Sequence, residues 1–179
     1  MAASAHRLVI FGANHKSASL TLRDALFVDD EAAPAFLDLL RQAGLAEAMV
    51  LSTCDRVEVW STGMDPETLG GRVLEVFGRR TGVEPAALAA HFYTLTGAEA
   101  VRHGFAVTAA LDSLVIGEPH VAGQVKAAHR LAREAGTLGG ELNAAGDTLS
   151  GTWSFPVTLA DGSQLGTCVG PWTAMRTMP

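Results

Sequence analysis

A chain of 179 residues with a formal net charge of −6 can bury one substantial core, and its acidic balance argues against a general nucleic-acid binder with a basic face. At 48% hydrophobic and 18% charged residues it is too apolar to be disordered, yet its longest apolar runs fall far short of the about 20 residues a membrane span needs. No basic-then-apolar leader opens it, so a cytoplasmic protein without a membrane partner is expected. In chain order, Arg7–Gly12 reads as a buried strand and Asn14–Ser17 as a polar loop. Leu22–Phe27 reads as a short helix. Ala32, Phe36, Leu39, Leu40 and Ala43 have the spacing of a helical face over Glu31–Ala43, which Gly44 stops. Ala46–Leu51 predicts a second strand, and the alternation around Val57 and Val59 a third.

Helices are then predicted at 66–80, 84–91 and 98–109, with Pro85 suited to a first turn. The clearest helix runs from about Glu118 to Ala135, with Val121, Val125, Ala128 and Ala132 as its apolar stripe and Gly136 beyond its end. Past about Leu142 the character changes to Gly, Thr and Ser. There, Trp153–Leu159 and Gln164–Val169 flank Asp161-Gly162 as a hairpin would. The expected division is 1–142 as one domain and 143–179 as a tail, a hairpin or a poorly ordered segment.

The segment Ser52-Thr53-Cys54-Asp55-Arg56 lies at the break between the second and third strands. A cysteine there is held rigidly while its sulfur reaches solvent, and Arg56 can favour a thiolate or an anionic substrate. The alternative is a small buried hydrophobe. Two cysteines make no disulfide framework; both are expected as thiols, with one Cys54–Cys168 bridge as the alternative. Leu111–His120 is an apolar strip that ends in Gly-Glu-Pro and opens onto the long helix, whose start suits an anion. His120 and Gln124, four apart, share a face of it. His15 and His103 are each candidates for a general acid or an orienting donor. No histidine–cysteine pair has zinc spacing, and neither Gly-x-Gly-x-x-Gly nor a P-loop is present.

Three segments together resemble the N-terminal catalytic domain of glutamyl-tRNA reductase: Gly12-Ala13-Asn14-His15-Lys16-Ser17-Ala18, Leu51–Glu58, and Leu111–Pro119 followed by Gly123–Lys126. The resemblance covers roughly residues 7–142. It implies an α+β fold, a ferredoxin-like small antiparallel sheet with helices followed by a helical segment. It also implies a reaction: the Cys54 thiolate attacks the ester of glutamyl-tRNA, and NADPH reduces the resulting thioester to glutamate-1-semialdehyde for tetrapyrrole synthesis. By motif position Thr53, Asp55 and Arg56 fall at the substrate, and Ser113, Glu118, Pro119, His120 and Gln124 line its pocket. His103 falls where the family keeps a histidine important for activity.

Asp55 stands where the family has asparagine, His120 where glutamine is common and Ala110 where glycine is common. A carboxylate at 55 opposes thiolate formation unless Arg56 neutralises it. The family's NADPH-binding and dimerisation domains have no counterpart here, so the chain is expected to acylate and hydrolyse rather than reduce, and its oligomeric state stays open. A pathway aminomutase is the protein partner the resemblance implies. Two rivals remain: a non-catalytic module that binds tRNA or a full-length reductase, and a general thiol hydrolase.

Overall fold

The computed structural model describes residues 7–63, 65–113, 120–138, 141–142, 148–158 and 164–175. Arg7–Leu138 forms one compact unit, and the chain beyond Leu138 belongs to another. The first contains β1 (Arg7–Asn14), α1 (Leu20–Leu26), α2 (Ala33–Gln42), β2 (Ala48–Ser52), β3 (Arg56–Gly63), α3 (Pro66–Thr81), α4 (Pro85–Ala89), β4 (Tyr93–Thr96), α5 (Gly97–Thr108) and α6 (His120–Glu134). Its strands lie in the order β2-β3-β1-β4, every neighbour antiparallel, which is the ferredoxin-like arrangement. The second unit holds β5 (Glu141–Leu142), β6 (Thr148–Thr158) and β7 (Gln164–Met175) as an antiparallel sheet. The hairpin expected near the C-terminus is there with longer strands, while its Asp161-Gly162 turn lies outside the described residues.

The helices form where their local signals sit. Asp65 caps α3 by accepting the Thr68 N–H at 3.2 Å, Pro66 fits its first turn, and Gly82 ends it in the left-handed conformation. Ser19 caps α1 through the Leu22 N–H. Phe36, Leu37 and Leu40 of α2 and Val73, Val76 and Phe77 of α3 are buried in one core with Val57 and Val59 of β3. Phe36, Phe77 and Phe92 form a chain of tilted ring contacts with centroids 4.8 and 5.5 Å apart. Val121, Ala128 and Ala132 bury the predicted stripe of α6, and Thr137 ties its end to Ala48 of β2 by two hydrogen bonds.

β4 was not expected. Its four residues Tyr-Thr-Leu-Thr carry too short an alternation to separate from the helices on either side, and only pairing with β1 defines them. The alternate residues of β3, namely Arg56, Glu58 and Trp60, bring charge onto the same strand as Val57 and Val59. Gly104 of α5 admits the Trp60 ring, whose carbons would sit 3.3 Å from an added Cβ.

Candidate functional site

The turn between β2 and β3 holds the candidate nucleophile. Thr53 closes it: its N–H donates to the Arg56 carbonyl at 2.8 Å, and its Oγ1 accepts the N–H groups of Asp55 and Arg56, both at 3.2 Å. Thr53, Asp55 and Arg56 are buried, while Cys54 between them is exposed. The Cys54 thiol lies 3.7 Å from Asp55 Oδ1, and its carbonyl accepts from Arg23 Nε at 3.3 Å. The 14–18 loop braces the turn. Asn14 nucleates that loop by accepting the Lys16 N–H on Oδ1, and the His15 N–H donates to the Asp55 carbonyl at 2.9 Å.

Behind the turn stands a buried polar hub. Glu58 is fully buried, and its two carboxylate oxygens accept four donors. Arg56 Nη1 (3.0 Å), Tyr93 Oη (2.6 Å) and His103 Nε2 (2.9 Å) meet Oε1, and Trp60 Nε1 (2.6 Å) meets Oε2. Burial alone would raise this carboxyl's pKa, but the His103, Tyr93 and Arg56 contacts outweigh it and hold the pKa below its ordinary value. An ionised carboxylate only accepts, so His103 must present Nε2–H to it, which leaves Nδ1 as the accepting nitrogen when the ring is neutral. Arg56, 1% exposed, also meets Asp112: Nη1 lies 3.2 Å from Oδ2, and Nη2 donates to the Asp112 carbonyl. Burial works to lower the Arg56 pKa, but Glu58 above all raises it overall. Burial and the Glu58 charge push the Tyr93 hydroxyl pKa well upward, so it serves as a fixed donor. Asp112 is held below its ordinary pKa against burial by Lys16, at 2.5 Å, and by Arg56.

Two backbone features make the hub. Glu58, Gly12 and Tyr93 lie in one register row across β3, β1 and β4. A Cβ on Gly12 would come within 2.6 Å of Glu58 Cγ and 2.8 Å of the Val57 carbonyl, so only glycine lets the carboxylate cross β1 to Tyr93. At the end of α5, Ala110 adopts φ 55° while its N–H bonds to Val107 O and that of Leu111 to Ala106 O. This pair of bonds is a Schellman cap, and it turns the chain so that Asp112 comes over Arg56. The residue noted for standing where glycine is common is therefore the one non-glycine in left-handed backbone among the described residues.

Of the sequence candidates, Cys54, Thr53, Asp55 and Arg56 share one turn, and Arg56 and His103 converge on Glu58. Ser113 is half-buried beside Asp112. His120 and Gln124, both exposed, line a groove of about 720 Å³ with Val28, Val50, Ser52 and Leu131. Glu118 and Pro119 lie outside the described residues, as does the Cys168 side chain. Arg56 is directed at buried Glu58 and half-buried Asp112. The roles of Glu58, Tyr93, Trp60 and the Lys16–Asp112 pair were not anticipated. The signal for the first was the pattern Arg56-x-Glu58-x-Trp60, polar groups on alternate residues with Val57 and Val59 between them. Among the described residues no three His, Cys, Asp or Glu side chains are grouped as metal ligands, and no helix is long and apolar enough to cross a membrane.

A family model for the glutamyl-tRNAGlu reductase N-terminal domain matches residues 11–150. The chain is 48% identical over 136 residues to the glutamyl-tRNA reductase of Rhodospirillum rubrum, covering 76% of this chain and 32% of that protein. Against the glutamyl-tRNA reductase of Magnetococcus marinus the identity is 39% over 138 residues, covering 76% and 33%. The solved glutamyl-tRNA reductase from Methanopyrus kandleri matches with a TM-score of 0.55 and 32% identity, over 74% of this chain and 29% of that one. The chain thus spans about a third of the length of the relatives it matches.

Proposed function

This chain belongs to the glutamyl-tRNA reductase family through that family's N-terminal domain, and from that premise we propose that Cys54 takes the glutamyl group from glutamyl-tRNA. The observation that carries the reading is the turn itself, where an exposed cysteine is held between buried Thr53 and buried Asp55 and Arg56. In the proposed step Sγ attacks the ester carbonyl carbon, a C–S bond forms, and the C–O bond to the terminal ribose breaks. The leaving oxygen takes a proton and a glutamyl thioester remains on the enzyme. His103, its Nε2–H fixed on Glu58, is the proton carrier, with Nδ1 as the exchanging nitrogen. Arg56 receives a carboxylate of the glutamyl group in place of Asp112, with its guanidinium held square by Glu58. Thr53 and Asp55 shape the turn. Ser113, Glu118, Pro119, His120 and Gln124 line the glutamyl pocket.

In the whole family members, reduction of the thioester with NADPH and delivery to an aminomutase of tetrapyrrole synthesis in the cytoplasm would follow. The described residues do not fit a dinucleotide. Their sheet is antiparallel, and the strand-to-helix turn after β3 carries the Asp65 carboxylate on its helix N–H groups. The assignment of 1–142 to the catalytic domain and 143–179 to an appendage belongs to the same proposal.

A second reading, a non-catalytic binding module, is favoured by one observation: the Asp55 carboxylate beside Sγ disfavours the thiolate. One experiment separates the two. Glutamyl-tRNA is added to the purified chain, the thioester is trapped with hydroxylamine, and Cys54→Ser is run in parallel. Catalysis requires glutamyl label bound to the wild-type protein, freed of tRNA, that hydroxylamine releases as the hydroxamate, and none bound to Cys54→Ser. Equal yields from both proteins reject it, and tRNA binding retained in Cys54→Ser without turnover in either establishes the module.

A further inference from the structure

A cluster of positive charge lies on α3. Arg72, Arg79 and Arg80, spaced seven and eight residues apart and so on one helix face, line a groove of about 830 Å³ between α2 and α3, floored by Phe36, Leu39 and Val76. None of the three is ion-paired among the described residues. Arg72 donates to the Gly44 carbonyl at 3.3 Å and Arg80 to the Phe27 carbonyl at 3.0 Å. These bonds fix two guanidinium groups at helix ends and leave most of their five N–H donors available. Glu75 is the one carboxylate in the lining, so three arginines against it give a local charge of +2 in a chain of net −6.

The row also points toward the nucleophile. Arg80 holds Phe27, the C-cap of α1, and one turn back on α1 Arg23 donates to the Cys54 carbonyl. The next residue, Val28, donates its N–H to Ser52 Oγ at 3.0 Å, two residues before Cys54. A line of guanidinium groups therefore runs from α3 across α1 to the backbone of the nucleophile, with exposed Asp29 and Asp30 beside it.

We propose that the α2–α3 groove, through Arg72, Arg79 and Arg80, grips the phosphate backbone of the acyl-carrying RNA and aims its 3′ end at Cys54. This rests on the reading of Cys54 as the acceptor from glutamyl-tRNA. A chain that repels polyanions overall orients one by the single face where the sign reverses. Guanidinium forks suit phosphates, and their aliphatic stems continue the apolar floor beneath.

The test uses the full chain. Binding of uncharged glutamate tRNA is followed by fluorescence anisotropy over a salt series for wild type, Arg79→Glu and Arg79→Glu/Arg80→Gln. The Arg79 side chain makes no hydrogen bond among the described residues, so its reversal probes charge without removing a brace. Arg79→Glu should bind about tenfold more weakly, with a log–log salt slope shallower by about 1. Its Cys54 thioester yield at subsaturating glutamyl-tRNA should fall by a similar factor. Wild-type affinity and slope in both variants overturn the groove assignment, and a normal thioester yield would then leave the Cys54 reading intact. Conversely, an Arg79-dependent slope in a wild-type chain that forms no thioester supports the groove and removes the catalytic reading. Arg79-dependent binding to phosphatidylserine vesicles, with none to tRNA, overturns the assignment to RNA.

Discussion

Replacing Glu58 by glutamine tests whether the buried hub is a stabilising unit. The amide keeps the shape of the side chain but has one accepting oxygen and one donating nitrogen. In its better orientation the oxygen keeps the Arg56, Tyr93 and His103 donors, and the NH2 faces the Trp60 N–H that Oε2 had accepted. That leaves the indole N–H of half-buried Trp60 without its acceptor, a cost of about 1–3 kcal/mol. Loss of the charge opposite a 1% exposed arginine adds to it, and Asp112 compensates only in part. The sum should be about 3–5 kcal/mol, the usual cost of breaking a buried ion pair. For a unit of this size that corresponds to a fall in Tm of about 10–20 °C.

The pH dependence carries a sign. The folded pKa of Glu58 is depressed, so its stabilisation is present above the unfolded carboxyl value of about 4.3 and is lost as pH falls through the folded value. The gap between wild type and Glu58→Gln in urea unfolding, followed by circular dichroism, should therefore be full at pH 7 and close in acid below pH 4. A variant within about 1 kcal/mol of wild type at pH 7, or a gap that acid does not change, would refute the account.

Gly12→Ala places a Cβ 2.6 Å from Glu58 Cγ and 2.8 Å from a carbonyl oxygen that cannot yield. It should cost about 1–3 kcal/mol in urea unfolding, and the loss should be smaller when Glu58 is already alanine. Ala110→Gly removes the penalty of a left-handed alanine, about 1–2 kcal/mol, against an unfolded-state entropy cost of about 0.4–1 kcal/mol. The buried Ala110 methyl is worth about 0.8 kcal/mol and offsets most of the difference, so Tm should stay within about 4 °C of wild type; a larger fall would contradict it.

Much of the fold was legible because its signals are local. Apolar periodicity placed α2 and α6, and Gly44, Pro85 and Gly136 punctuated the chain where the structure bends it. β4 was not legible, since four alternating residues between two helices gain meaning only from pairing with β1. The site divides the same way. Cys54 stood out because a polar turn interrupts two apolar strands. The inward role of Arg56 did not, because its partners lie two residues away across the pleat and 56 residues away in sequence. A charge read one residue at a time looks solvated. The arrangement that buries Glu58 comes from Gly12, Tyr93 and His103, which only the tertiary fold assembles.

The empty place over Gly12 has a consequence for how the sheet finds its alignment. Shifting β1 by one residue against β3 would set Phe11 or Ala13 opposite Glu58 and turn the side chains of β1 to the other face. The carboxylate would then meet a side chain where it now meets none, and would lose its route to Tyr93. A sheet mispaired by one residue strands a charge, so the hub acts as a checksum on strand alignment: the chain can shift β1 out of frame only by forfeiting the carboxylate that joins Arg56, Tyr93 and His103.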